Sequence, residues 1–509
     1  MAEMDRRDFM RLSGAGAGLL LASSLFHDRL LAGEVPRSGA TLFSTRFGVS
    51  GHEMARVLQA ALSRGGDYAD LFFEYTLSNS VSMEDDIIKE SSEQVVLGVG
   101  VRVLAGKQTG FAHTSELTPQ AMRQAAITAA AIAAAGSPGK VPPLSEHKLV
   151  RQAYVMGEVI AQAPLGDKID LVQAAYAAAL AHDPRVKSVV ASLTDELQYV
   201  TITNSDGLLV SDTRPQVRLT VRATAEAQGV RNTGSHNVGG RIGRAFFQAA
   251  GSTPKEVGQK AAAEAITLLA AVNATPGDQP VVLGKHQSGV MIHEAVGHPL
   301  EGDGVWRKTS VMHDRMGTQV ASPLVTISDD ATLDQLRGSL NVDDEGTPTE
   351  NVLLIDKGKL VGFLHDRLSA RVLGMKPNGH GRRQSYRLPP IPRMNNTVLG
   401  CGESDPAEII QSVKKGFFAE TYQGGMVQGT GRFTFSVNLG YLIENGKLTR
   451  PVKNATLIGT NIQILKDVER VGNDMGFFLG TCGKAGQMAP VTAGTPTLKI
   501  RQMTVGGRS

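Results

Sequence analysis

Two rhythms of apolar and polar positions run along this chain, and the change between them falls in the polar, Pro/Gly-containing stretch Asn273–Pro280. Before it, helical spacing alternates with short extended runs. Glu53–Leu62 and Pro119–Ala135 carry apolar residues at helical spacing; Gly136 and Pro138 would stop the second. Tyr68–Tyr75, Val81–Lys89 and Val95–Leu104 read as strands, and Ala105-Gly106-Lys107 turns the chain back into Thr109–His113. After the linker Ser137–Pro143, the pattern predicts a helix over Lys168–Ala181. Strands follow at Val186–Leu193, Leu197–Thr203, Leu208–Asp212 and Val217–Ala225, with Ser205-Asp206-Gly207 as a hairpin turn. Thr253–Ala271 is a further helix, with Pro254 in its first turn.

Beyond the boundary the text is strand and loop, apart from short helices at His286–His298 and Pro406–Lys414. Val352–Ile355 and Leu360–Leu364 flank a turn, and Phe433–Val437 precedes Gly440–Ile443. Glu444-Asn445-Gly446 is a hairpin signal. The pattern therefore predicts an α+β chain. Its N-terminal α/β domain, 41–272, has an antiparallel sheet and helices, and two similar strand–helix stretches suggest subdomains 41–136 and 150–272. A β-rich C-terminal domain, 281–509, carries a short helix.

Composition narrows the chemistry. Lys and Arg number 52 against 49 Asp and Glu, a net charge of +3, which gives no support to a polybasic nucleic-acid binder. Two cysteines, Cys401 and Cys482, are too few for a disulfide scaffold, a four-cysteine iron–sulfur cluster or an all-cysteine zinc site. Arg6–Arg7 before Phe9 and the moderately apolar run Ser13–Phe26 form a twin-arginine export pattern over residues 1–33. That run is shorter than the ~20 apolar residues of a membrane span. Leu31-Ala32-Gly33 is a candidate cleavage site without an A-x-A pattern, so retention of the segment as a membrane anchor stays open. The expected location is outside the cytoplasm, in a periplasm.

The richest stretch is Met291-Ile292-His293-Glu294-Ala295-Val296-Gly297-His298-Pro299-Leu300-Glu301-Gly302-Asp303. Zinc-protease helices place two histidines four apart, on one face. Here they are five apart, and five steps of an ideal helix would point the rings about 140° away from each other. Gly297 tolerates strained backbone and Pro299 disfavours helical geometry at His298, so the helix is expected to end or bulge and bring His298 back toward His293. A metal needs a third ligand. Cys482, in the Gly-rich Thr481–Gln487 loop beside Lys484, is the best candidate; Cys401 is its rival, and a disulfide between the two is a third reading. Glu301 and Asp303 could ligate or could hold a histidine.

Further motifs occur in order: Gly98-Val99-Gly100-Val101-Arg102-Val103 with Gly110-Phe111-Ala112, Asn204-Ser205-Asp206-Gly207, Asn341-Val342-Asp343-Asp344-Glu345-Gly346-Thr347-Pro348, Gly381-Arg382-Arg383-Gln384-Ser385-Tyr386, Pro392-Arg393-Met394-Asn395-Asn396-Thr397 and Pro451–Gly459. With the His-Glu stretch and the Cys482 loop, these make the chain after about residue 45 resemble the TldD/PmbA metalloprotease family, on the side of its metal-bearing subunit. The resemblance implies Zn2+ held by His293, His298 and Cys482, with Glu294 as general base for a water bound in the fourth position. It also implies unfolded or extended peptide substrates and pairing as a homodimer or with a metal-less relative. His380, Tyr386 and Arg393, in a polar Arg-rich stretch, are candidate substrate contacts and oxyanion donors. Two features depart from the family: the export segment, and Gly425-Met426-Val427-Gln428-Gly429. The expected function is an exported zinc-dependent peptidase. The alternative is a non-catalytic peptide-binding or scaffold subunit of a TldD/TldE-like complex. No nucleic-acid partner is expected.

Overall fold

The computed structural model describes residues 39–133, 139–154 and 157–507. Residues 1–33, where an export signal is expected, lie outside them. Among the described residues no helix is long and apolar enough to cross a membrane.

The N-terminal part is one seven-stranded sheet. Its strands are β1 (Tyr68–Glu84), β2 (Ile87–Ala105), β3 (Gln108–Thr114), β4 (Ser145–His147), β5 (Val186–Asn204), β6 (Leu208–Ala227) and β7 (Val230–Gly240). The order is β3-β2-β1-β5-β6, with β4 and β7 both on β6 and only β4 parallel. The suggested subdomains are therefore two halves of a single sheet, joined by β1 and β5 from Asp70↔Asn204 to Glu84↔Val190. The expected strand breaks at Thr76–Ser80, Thr194–Glu196 and Thr213–Gln216 do not occur. Polar residues there satisfy one another across strands: Asn79 donates to Asp195 at 2.8 Å, and Lys168 pairs with Asp195 at 3.0 Å. β7 was not foreseen, because Val230–Gly240 is too polar and glycine-rich to read as a strand.

Helices cover one face of this sheet. Gly51–Ala61, capped by Ser50, and Pro119–Ile132, capped by Thr118, pack with β1 and β2. Leu165–Leu180 and Pro254–Leu269, the latter with a Thr253/Glu256 capping box, pack with β5 and β6.

The C-terminal part holds two larger sheets. Strands Lys415–Val427, Gly277–Leu283, Leu498–Gly506, Ala455–Thr460 and Arg432–Glu444 pair in that order, and the last pairs back onto the first, closing a five-membered ring. The second sheet has six strands and ends on the hairpin Gln487–Thr495/Gly476–Lys484, with Gly476–Lys484 outermost.

The seam between the two parts is a buried ionic layer. Gly98, Gly100 and Arg102 alternate on one face of β2. A Cβ at Gly98 or Gly100 would overlap Tyr386, so the glycines make room for that ring and its backbone. Arg102 pairs with Asp70 on β1 and with Glu345 at 2.6 Å. Arg383 reaches Asp70 at 3.2 Å, and Arg214 reaches Asp344 at 2.5 Å and Asp212 at 3.1 Å. Asp343 accepts from the amides of Glu345, Thr347 and Gly381, which ties the Asn341–Pro348 motif to the 381–386 segment. Arg102→Ala would strip the buried Glu345 carboxylate of its ion-pair partner and leave buried Asp70 with Arg383 alone. We expect a loss of about 3–5 kcal/mol, measured by denaturant unfolding; a loss below ~1 kcal/mol would mean the layer is not what clamps the seam.

Candidate metal centre

A short α-helix, Gly289–Ile292, enters the site buried, and the chain then widens into a π-turn over His293–Gly297. The His298 amide donates to the His293 carbonyl. A turn with hydrogen bonds between residues five apart stacks such residues along one face, so the unusual spacing is matched by unusual winding. The rings of His293 and His298 lie 5.1 Å apart, edge to face at 79°. The cause differs from the expected one. Gly297 (φ −57°) and His298 (φ −57°) both have ordinary right-handed helical backbone. Glycine is needed at 297 because a Cβ there would overlap Met394 Sδ. Pro299 does not break the helix; it sits in a 3-10 turn, His298–Leu300.

Cys482 comes from the outermost strand of the six-stranded sheet. Its Sγ lies 3.2 Å from His298 Nε2, and the ligand atoms of His293, His298 and Cys482 fall within 4.8 Å of one another. Cys401 is exposed and does not join this group, and neither cysteine is in a disulfide. Both ring nitrogens of His293 are buried without a hydrogen-bond partner. Two orphaned imidazole nitrogens beside a thiol and a second histidine are the donor set of a soft divalent cation.

Around these three, each partner has a definite role. Glu301 is buried and takes His298 Nδ1 at 2.9 Å, which fixes Nε2 toward Cys482. Burial works to raise the Glu301 carboxyl, but Lys484, His298 and Arg393 hold it down to about 2. Lys484 lies 3.0 Å from Glu301 and 2.6 Å from Asp303, so it braces the carboxylates. Burial also works to raise the Cys482 thiol, but the two histidines outweigh it and bring it to about 4. Burial pushes the Glu294 carboxyl up, with the neighbouring histidines opposing. Glu294 lines the same cleft as the ligand set.

The three further candidates stand elsewhere, and none lines the cleft. His380 is fully buried, bonded to Asp329 at 3.0 Å and to the Asn378 carbonyl at 2.9 Å. Tyr386 is packed over Gly98 and His113 at the seam. Arg393 is buried and donates to the carbonyls of Cys482 at 2.5 Å and Gln487 at 3.2 Å. It supports the cysteine's strand from behind. A polar, arginine-rich loop reads like a cleft wall, yet here it is the filling of an interface. Sequence reasoning missed Arg337. It donates to the Gly480 carbonyl at 3.1 Å and to Gln216 on β6 at 2.7 Å, so it ties the Cys482 strand to the N-terminal sheet. No local motif marks it.

The cleft has a volume of about 610 Å³. One wall is the π-turn, another is Gly480–Lys484, and a third is Gly424–Gly429. The departure at Gly425–Gly429 therefore faces the candidate metal ligands.

Two outcomes check this geometry. Glu301→Gln should weaken metal affinity about 10–100-fold, read by competition with a coloured chelator; unchanged affinity would remove Glu301 from the centre. In chelator-treated protein at about pH 6, iodoacetamide should label buried Cys482 faster than exposed Cys401, because only the former is a thiolate there. If exposure governs instead, Cys401 reacts first.

Comparison with known proteins places most of the chain. The PmbA/TldA metallopeptidase profiles match in order: domain 1 over 69–133, the central domain over 158–269 and the C-terminal domain over 276–507. The Haemophilus influenzae metalloprotease TldD homolog is 41% identical over 451 residues, covering 87% of this chain and 94% of its own. A Saccharolobus solfataricus zinc metalloprotease TldD homolog is 26% identical, covering 89% and 100%. The solved structure of TldE from Thermococcus kodakarensis superposes with a TM-score of 0.72 at 18% identity, covering 89% and 100%, a likeness of fold. By these matches the chain belongs to the PmbA/TldD family of metallopeptidases.

Proposed function

We propose that the protein is a zinc-dependent peptidase that hydrolyses unfolded or extended peptides. The observation that carries this reading is the convergence of His293, His298 and Cys482 in an open cleft that Glu294 also lines. Two imidazoles and a thiolate suit zinc. Zn2+ held by these three residues would supply a Lewis acid for a peptide carbonyl and would acidify water. Glu294 takes the proton of the attacking water and hands it to the leaving nitrogen, and its upward shift suits a group that must both accept and return a proton. Glu301 holds His298 in one tautomer throughout, and Lys484 keeps Glu301 charged.

Two strand edges flank the cleft. Lys415–Val427 has a second partner only at Phe417–Ala419, so its Thr421–Val427 end pairs on one side only. Gly476–Lys484 is the outermost strand of its sheet. Edges of this kind can lend backbone groups to an extended chain, which favours unfolded substrates over folded ones. The same proposal has the enzyme exported through Arg6–Arg7 and paired with a second copy or a metal-less relative.

One experiment tests the reading. Purified protein should contain about one zinc per chain and should digest unfolded casein but not a folded protein, with loss of activity in chelator. Glu294→Gln should keep zinc and lose turnover by a factor of about 100 or more. Cys482→Ala should lose zinc, and Cys401→Ala should not. Turnover by Glu294→Gln, or zinc retained by Cys482→Ala, contradicts the proposal.

A further inference from the structure

Five charged side chains other than histidine line the cleft: Glu294, Glu301, Asp303, Arg307 and Lys484. Four are already committed. Lys484 is shared between Glu301 and Asp303, and Glu301 is bonded to His298. Glu294 is the proton carrier of the proposed reaction. Arg307 stands apart. Its guanidinium lies 5.0 Å from the Trp306 ring centroid, and among the described residues no carboxylate lies within ion-pair distance of it. Asp303, one helical turn earlier and the natural partner for it, is held by Lys484 at 2.6 Å instead. The side chain is exposed at the cleft and offers a planar, always-charged fork that matches a carboxylate. The indole under it limits its freedom, so less order has to be imposed when a partner binds.

We propose that Arg307 recognises a carboxylate on the substrate peptide, either an acidic side chain at one position from the scissile bond or the free C-terminal carboxylate. The inference rests on the peptidase reading. Its sign is local. Glu294 and Asp303 line the same cleft and disfavour anions elsewhere in it, so an acidic residue is favoured at the position facing Arg307 and not along the whole peptide.

The test is binding of fluorescent peptides to zinc-loaded Glu294→Gln protein, which does not consume them. One series moves a single Glu, paired with Gln, along an otherwise neutral extended peptide; the other compares a C-terminal acid with its amide. A preference of about tenfold is expected at one Glu position or for the free acid, which names the source of the carboxylate. Arg307→Gln should bring that ratio to about one, and Arg307→Glu should reverse it in favour of the neutral peptide. Equal binding of both members of every pair overturns the inference. So does a preference that survives in Arg307→Gln, or one that is equal at all positions and vanishes with salt. Wild-type cleavage of neutral peptides separates the two proposals. Cleavage without an Arg307-dependent preference removes only the inference, whereas Arg307-dependent binding without any cleavage removes the peptidase reading and leaves Arg307 as the carboxylate contact of a peptide binder.

Discussion

Charge buried between two sheets is the constraint on which the site depends. Arg102, Asp70, Glu345, Arg383, Asp344 and Arg214 are taken from water together, and each has a partner on the other side of the seam. Such a layer adds little net attraction, since desolvation offsets most of the Coulomb gain. What it does supply is register: one alignment pairs every charge and the others strand several. The 381–386 segment is fixed by that alignment, through Arg383 on Asp70 and Tyr386 over Gly98 and Gly100. Gln384 in turn exchanges hydrogen bonds with Gln487 and the Met488 amide, on the hairpin that carries Cys482. The thiol is thus placed by contacts that run back to the first strand of the N-terminal sheet.

The histidines are placed by a different device. Their own turn of chain does the work, and Met394 leaves no room for a side chain at Gly297. Two independently built pieces meet at the metal ligands, one local in sequence and one about 190 residues away. The buried carboxylate Glu301, with Lys484 and Arg393 beside it, lies where the pieces touch.

Features whose cause lies within a few residues could be read from the sequence. The Glu444-Asn445-Gly446 hairpin carries its own turn chemistry, with Asn445 and Gly446 both at positive φ. Thr253 and Glu256 announce a helix start. The His293–His298 stretch signalled a bulge by its spacing together with Gly297 and Pro299, although the glycine there serves packing and not strain. Features whose cause lies far off were misread. Polar residues inside β1, β5 and β6 looked like strand ends because their partners on neighbouring strands cannot be seen locally. His380, Tyr386 and Arg393 looked like a cleft wall because a buried salt layer has the same composition as a binding surface. Arg337 could not be found at all, since nothing near it says that Gln216 and Gly480 flank it.

The π-turn also constrains how this centre could change. Removing one residue between the two histidines would give the ordinary four-residue spacing and an ordinary helix. It would also rotate everything downstream by about 100° about the helix axis. His298 and Glu301 would turn together, and Cys482, Lys484 and Arg393 would face a ring and a carboxylate that had moved. The longer spacing is therefore locked to its surroundings: the two kinds of histidine pair are separated by a simultaneous rebuilding of several contacts, and no single deletion leads smoothly from one to the other.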